Sequence, residues 1–296
     1  MSITLITGAG KGIGLATALH FGRNGNRVFA ALRDPDNAED LAQAIAAEQL
    51  PVTLVQIDVD DDVSVRRGIA NVLDQAGHID VLVNNAGVGI MGPLEEVSLE
   101  AAQRVFQTNY FGPIRTMQAV LPGMRERCSG TIVNVSSVFG QLVLAAHVHY
   151  PASKFALEAA SEALAQEVGA FNIRIALVEP GVVLTPMMES GKERRKANPP
   201  DINGPYTNHR RRLGMLFDSG LSQPTLPQTV AEVIEHAVVT DTPQMRYVVG
   251  EDAQALIDGR QKTTDEEWAN LGQTLTDEEY CASMAQICGV DLFNKQ

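Results

Sequence analysis

Tyr150 and Lys154 stand four residues apart in the run Tyr150-Pro151-Ala152-Ser153-Lys154, thirteen residues beyond Ser137. On a helix that spacing puts a phenol and an ammonium on one face, with Cβ atoms about 5–6 Å apart. A neighbouring cation favours phenolate and so lowers a tyrosine from its ordinary pKa of ~10. A phenol tuned in this way can donate or accept a proton near neutral pH. Tyrosine and lysine fall four apart by chance in many helices, so the weight of the pair comes from its surroundings.

Those surroundings begin at the N-terminus. Ile3-Thr4-Leu5-Ile6 is a short apolar strand, followed by Thr7-Gly8-Ala9-Gly10-Lys11-Gly12-Ile13-Gly14. An amphipathic helix then runs to a stop at Gly22 or Gly25, and Arg27 to Leu32 reads as a second buried strand. Strand, glycine turn, helix and strand make the βαβ unit that binds a pyrophosphate at a helix N-terminus. At the end of the second strand an acidic residue suits the ribose hydroxyls of NAD, whereas an arginine suits the 2′-phosphate of NADP. Arg33 stands there, with Lys11 able to approach the same phosphate, so NADP(H) is expected. The alternative is NAD, with Asp34 reaching the ribose. Further apolar runs at Val52-Ile57, Asp80-Val83, Thr131-Val135, Arg174-Val178 and Met245-Val249 alternate with amphipathic stretches. That alternation predicts an α/β, doubly wound parallel sheet.

Composition narrows the class. The chain has 296 residues, 45% of them hydrophobic, which is ample for one large α/β domain. A formal net charge of −13 opposes nucleic-acid binding. Cys128, Cys281 and Cys288 form an odd, scattered set with neither a disulfide framework nor a metal-ligand spacing. No apolar run is long enough to span a bilayer, and the first strand begins too early to leave room for a signal peptide. A cytoplasmic protein is the expectation.

TGAGKGIG, Asn84-Asn85-Ala86-Gly87, Asn109, Ser137, YPASK and Pro180-Gly181 together resemble the short-chain dehydrogenases/reductases in order and spacing, over roughly residues 2 to 250. RVFAALRDP, YPASKFALEAASEALAQE and VEPGVVLTPM are similar to the branch holding 17β-hydroxysteroid and retinol dehydrogenases and carbonyl reductases. The resemblance implies a Rossmann-type sheet of seven strands and reversible hydride transfer between a nicotinamide cofactor and a carbonyl or alcohol. In that scheme Tyr150 is the general acid/base, Lys154 tunes it and binds the nicotinamide ribose, and Ser137 holds the substrate oxygen. The family offset to tyrosine selects Ser137 over its neighbour Ser136. Asn109 holds a water of a proton relay; Pro113, four residues on, cannot donate the helical hydrogen bond to its carbonyl. Gly8, Lys11, Gly12, Ile13 and Gly14 cradle the pyrophosphate. Asp58 and Val59 lie against adenine, and Asn85, Ala86 and Gly87 line the cleft. Pro180, Gly181, Val183 and Thr185 hold the carboxamide. No metal is implied, and a homodimer or homotetramer is expected through the helices carrying Asn109 and Tyr150.

Substrate contacts are expected from Val138 to His149, with Phe139, Val143, Leu144 and His147 beside Ser137 and Tyr150. An apolar wall of this kind suits a hydrophobic ketone or aldehyde. Residues 186–227, rich in Gly, Pro and Arg, read as a long mobile lid. The domain is drawn at 1–250, with 251–296 a helical extension in which Thr264 and Thr276 are N-cap candidates. Lys192 to Lys196 and Arg210 to Arg212 are basic clusters, either solvated or drawing an anionic carrier. The second enzymatic reading is therefore a 3-oxoacyl-thioester reductase. A reading of another class is an NADP-sensing or scaffold protein without turnover.

Overall fold

The computed structural model describes residues 1–197, 203–273, 276–289 and 291. It opens with β1 (Ile3–Thr7), α1 (Gly12–Arg23) and β2 (Arg27–Leu32), the expected βαβ unit. Then come α2 (Glu39–Glu48), β3 (Val52–Gln56), α3 (Asp62–Ala76), β4 (Val81–Asn84), α4 (Leu99–Phe106) and α5 (Gly112–Arg127). The middle of the chain gives β5 (Gly130–Val135), α6 (His149–Val168) and β6 (Ile173–Pro180), then α7 (Pro186–Ala197), α8 (Thr207–Gly220), α9 (Pro227–Val239) and β7 (Arg246–Val249). α10 (Glu251–Gln261), α11 (Asp265–Asn270) and α12 (Asp277–Cys288) complete it.

The seven strands form one parallel sheet in the order β3-β2-β1-β4-β5-β6-β7. Strand order reverses between β1 and β4, and the crevice at their C-terminal ends is where such sheets bind ligands. Apolar runs on every strand follow from helices covering both faces. Alternate residues go to opposite sides: Ile6, Val28, Ala30, Val83 and Val133 pack toward α1 and α9, whereas Leu5, Phe29, Leu82 and Ile132 pack toward α3 and α5. A third apolar cluster lies beyond the strand ends. It joins Phe139 and Leu144, Leu213, Leu216 and Phe217 of α8, and Leu256, Trp268, Tyr280 and Met284 of the C-terminal helices.

Two local features depart from a simple helix-and-loop reading. Between α4 and α5 the chain takes a π turn over Gln107–Phe111, closed by the Gly112 N–H on the Gln107 carbonyl. Pro113 follows at once, so the missing donor to the Asn109 carbonyl coincides with a slip in hydrogen-bond register. The stretch 186–227 is not a long loop. Among its described residues it carries α7 and α8, and in α8 Leu213, Leu216, Phe217 and Gly220 recur at helical spacing and bury one face.

The basic clusters also resolve differently. The side chains of Lys192 and 194–197 lie outside the described residues. Arg210 pairs with Glu96, Arg211 and Arg212 both pair with Asp277 at 2.6 and 3.0 Å, and Arg212 lies over the Tyr280 ring. Arg211 and Arg212 thus tie α8 to α12, and Arg210 ties α8 to the segment before α4, instead of waiting for an anion. Thr264 and Thr276 each close a capping box with Glu267 and Glu279. Thr264→Ala is expected to cost about 1 kcal/mol, read as a fall in melting temperature of about 2–4 °C. An unchanged melting curve would show that α11 contributes nothing to the cooperative unit.

Candidate active site

The glycine turn is held open from behind. Thr7, at the end of β1, accepts through Oγ1 from the N–H groups of Asn85 and Ala86 at 3.0 and 3.1 Å. The Asn85 side-chain amide donates to the carbonyls of Thr7 and Gly8 at 2.9 and 3.2 Å. Asn85 is thus occupied with the loop, and Ala86 stands against Gly8, whose φ of +66° is a glycine conformation. Gly12 abuts Thr185, 3.2 Å from where a Cβ would sit. Ile13 follows inside the first turn of α1, where Lys11 occupies the N-cap without a side-chain cap. First-turn N–H groups and a floor that admits no side chain fit a pyrophosphate.

Beyond β2, Asp34 caps a short 3₁₀ turn at Pro35–Asn37, accepting from the Asp36 N–H at 3.2 Å. Arg33 and Lys11 are exposed, and none of the described ion pairs engages either. After β3, Asp58 accepts from the Asp60 N–H, and buried Val59 offers its carbonyl to Arg115. At the end of β6, Pro180 accepts from Ser137, and Gly181 just beyond donates to Val249. Val183 is buried in a bridge to Thr225, and Thr185 leads into α7. Asp252 of α10 accepts from the Val182 N–H at 2.8 Å and fills the space beside Gly181. Nothing in the sequence pattern marks Asp252, because its partner is a backbone group seventy residues earlier.

Tyr150 and Lys154 both sit in the first half of α6, with the Lys154 Nζ 5.7 Å from the phenol ring centroid. The ammonium is buried and donates to the Val135 carbonyl at 2.9 Å. Burial pushes it down to about 8, against a smaller opposing effect of Glu158. The expected lowering of Tyr150 by Lys154 is not what this arrangement produces. Burial raises the phenol, and the Ser137 hydroxyl offsets that only in part. The physical reason is that burial penalises the charged phenolate more than its neighbours favour it. A phenol kept protonated is the form that donates a proton.

Ser137 is buried, capping the 3₁₀ turn Val138–Gly140 through the Phe139 N–H. Ser136 turns the other way, buried and without a partner. Asn109 is fully buried, exchanging hydrogen bonds with the Val88 backbone at 2.9 and 3.0 Å. It also donates to Ser153 Oγ at 3.1 Å, and Ser153 in turn donates to the Tyr150 carbonyl at 2.7 Å. Ser153 therefore braces the helix between the Tyr150 and Lys154 side chains, a role the sequence reading missed although it precedes Lys154. Gly87 sits over the pair Asn109 and Lys154, 3.5 and 4.0 Å from where its Cβ would be.

His147 lies parallel to the Tyr150 ring, 5.3 Å between centroids with 3° between planes. Burial pushes its imidazole down to about 3, so it is neutral and acts by packing. Edge contacts to Phe139 and Phe217 complete its cage. A cavity of about 440 Å³ is lined by Val143, Leu144, His147, Leu213, Trp268 and Tyr280 among others, but by neither Tyr150 nor Ser137. Ala152 and Phe155 also line it, and Ala152 is more than half a helical turn round from Tyr150. The cavity thus adjoins the phenol through His147. Phe139 belongs to a smaller space against Phe217, and the Val143 carbonyl accepts from the Trp268 indole at 2.8 Å.

Residues 2–196 match the family model described as short chain dehydrogenase. Retinol dehydrogenase 8 of Homo sapiens is 41% identical over 252 residues, covering 82% of this chain and 79% of the relative. Estradiol 17-beta-dehydrogenase 1 of Rattus norvegicus is 35% identical over 259 residues, covering 83% and 73%. Among solved structures, an actinorhodin polyketide ketoreductase with NADPH superposes with a TM-score of 0.74 at 29% identity, covering 84% of this chain and 95% of that one. No described helix is long and apolar enough to cross a membrane.

Proposed function

Since the chain belongs to the short-chain dehydrogenase family, whose oxidoreductases bind a nicotinamide cofactor and act on CH–OH and C=O groups, we propose that it interconverts a hydrophobic ketone or aldehyde and its alcohol with NADP(H). The observation that carries this reading is the placement of Tyr150. Its phenol has Lys154 one turn away and packs against an apolar cluster that includes Phe139, Leu144, Phe217 and Met188.

A bound nicotinamide supplies or removes the hydride. In the reducing direction Tyr150 donates its proton to the carbonyl oxygen, and Ser137 holds that oxygen as charge develops on it. Lys154, one turn away and already shifted toward neutrality, is placed to return a proton to the phenolate that this leaves. Gly8 to Gly14 receive the pyrophosphate, while Asn85 keeps the turn in shape. Apolar walls exclude water from the proton transfer and favour a substrate with little polar surface. The similarity to retinol and estradiol dehydrogenases agrees with a substrate of that kind. The polyketide ketoreductase similarity keeps an acyl-thioester ketone as the second reading, although the basic triplet on α8 is committed to Asp277 and Glu96. A dimer contact is proposed on the outer surface of the π turn and α6, where Phe111 and Phe155 are exposed.

Arg33 carries the choice of cofactor, because Asp34 is engaged by its own turn. Arg33→Ala is expected to weaken NADPH binding roughly 10- to 100-fold, the worth of a charge-assisted hydrogen bond, and to leave NADH binding within about threefold. Fluorescence titration of both cofactors checks this. Tighter binding of NADH than NADPH by the unaltered protein would defeat the assignment. Turnover is tested by screening steroid, retinoid, aromatic and acyl-thioester carbonyls for NADPH oxidation.

A further inference from the structure

One cluster of titratable side chains takes no part in the proton transfer above, yet it is buried beside it. Glu158 lies on α6 one turn after Lys154, and Glu179 lies on β6 just before Pro180-Gly181. Glu179 is fully buried and Glu158 is 4% exposed. Both carboxyls face one guanidinium, that of Arg246 on β7, each with an N···O separation of 3.0 Å. Glu162 pairs with the same group from the solvent side.

Donors are too few for two carboxylates. The single Nε–H of Arg246 is directed at Glu158 Oε2 at 3.1 Å, and Gln141 donates to Glu179 Oε2. Glu158 Oε1, Glu179 Oε1 and the Ser136 hydroxyl are buried and make no well-directed hydrogen bond, although Glu179 Oε1 stands 3.0 Å from Arg246 Nε. Ser136 Oγ and Glu158 Oε1 border the same spot, 2.6 and 2.9 Å from where a Gly140 Cβ would lie. Unpaired carboxylate oxygens are costly to bury, and a proton held by one carboxyl removes a charge and adds a donor. The other charged groups nearby are already engaged. Lys154 donates to Val135, and Asp252 of α10 accepts from Val182.

We infer that Glu158 and Glu179 share one proton beneath Arg246, and that this clamp positions the Ser137 turn and the Pro180 strand end around Tyr150 and Lys154. Glu158 is on the helix of Tyr150 and Lys154. Gln141 ties the turn that carries Ser137, and Glu179 immediately precedes the strand end at Pro180-Gly181. Burial first, and then the Glu158 charge, push Glu179 up to about 8; burial raises Glu158 also. The positioning half of the inference rests on the carbonyl reaction proposed above, whereas the shared proton does not. The sign of the pH effect follows from linkage. A carboxyl raised from 4.5 to about 8 on folding stabilises the fold fully below its unfolded value and loses that contribution as pH rises through its folded value.

The test compares the full chain with Glu179→Gln and Glu179→Ala by melting temperature from pH 5 to 9 and by NADPH-dependent carbonyl reduction over the same range. Gln keeps the shape and supplies a permanent donor. The melting temperature of the unaltered protein is expected to fall from about pH 5 to 8 more steeply than that of Glu179→Gln. At pH 7 the Gln variant should keep kcat within about threefold, while Glu179→Ala loses about tenfold or more with KM nearly unchanged. Equal pH slopes in the unaltered protein and Glu179→Gln would overturn the shared proton. A kcat for Glu179→Ala equal to that of the unaltered protein would overturn the positioning role. If the unaltered protein binds NADPH and reduces no carbonyl, the proposed activity fails and the positioning half fails with it, while the melting profiles still decide the shared proton.

Discussion

Tyr150→Phe is expected to lower kcat for carbonyl reduction by roughly 10²- to 10⁴-fold, the usual worth of a positioned general acid, and to leave NADPH binding nearly unchanged. The ring keeps its stack on His147 and its place in the apolar cluster, so the substitution removes the proton and little else. Melting temperature should stay within a few degrees, because the phenol oxygen is not part of any described side-chain network that braces α6; that bracing passes through Ser153 and the Tyr150 carbonyl. Stopped mixing of enzyme, NADPH and substrate followed by product analysis separates the two properties. A variant that turns over at more than a tenth of the original rate would take the acid role away from Tyr150. Since burial raises the phenol, reduction should also persist above neutral pH before falling as the tyrosine ionises.

Gly14→Ala is expected to abolish measurable NADPH binding and to destabilise the fold by about 1–3 kcal/mol, as overpacking does. A Cβ on Gly14 would lie 2.3 Å from the Gly8 carbonyl oxygen and 2.4 Å from Asn85 Nδ2. Neither neighbour is the free end of a flexible chain. One is backbone, and the other is the amide that bonds the Thr7 and Gly8 carbonyls. Relief therefore means moving the glycine turn or breaking Asn85 away from it, and both disturb the proposed phosphate cradle. Fluorescence titration with NADPH, alongside a melting curve, checks the two effects separately. Binding at the original affinity would show that the turn is not the phosphate site. The conformation of Gly8, at φ +66°, makes it a weaker test, because strain and crowding against Ala86 would be mixed there.

Much of the fold was legible because its signals are local. β2 spans the apolar run Arg27 to Leu32, and the glycine turn precedes α1 as the pattern predicts. The capping boxes at Thr264 and Thr276 needed only residues three apart. The stretch 186–227 was misread as loop because its regularly spaced buried apolar positions fall mainly on α8, between polar and glycine-rich flanks. Leu213, Leu216 and Phe217 acquire meaning only against Phe139 and the C-terminal helices. The arginine triplet looked free for the same reason, its carboxylate partners lying at Glu96 and Asp277.

The amino-acid sequence by itself determined the parallel sheet, the glycine turn for a dinucleotide and the juxtaposition of Tyr150 with Lys154. Periodicity, backbone freedom and helical spacing act over a few residues, and no distant contact is needed to read them. Tertiary structure decided the electrostatics. Whether Tyr150 is lowered or raised depends on its burial, and whether Asp34 is free depends on the turn that it caps. Glu158, Glu179 and Arg246 are ordinary charged residues along the chain. They come together only where α6, β6 and β7 meet and bury both carboxyls, since desolvation belongs to the assembled site and not to any residue.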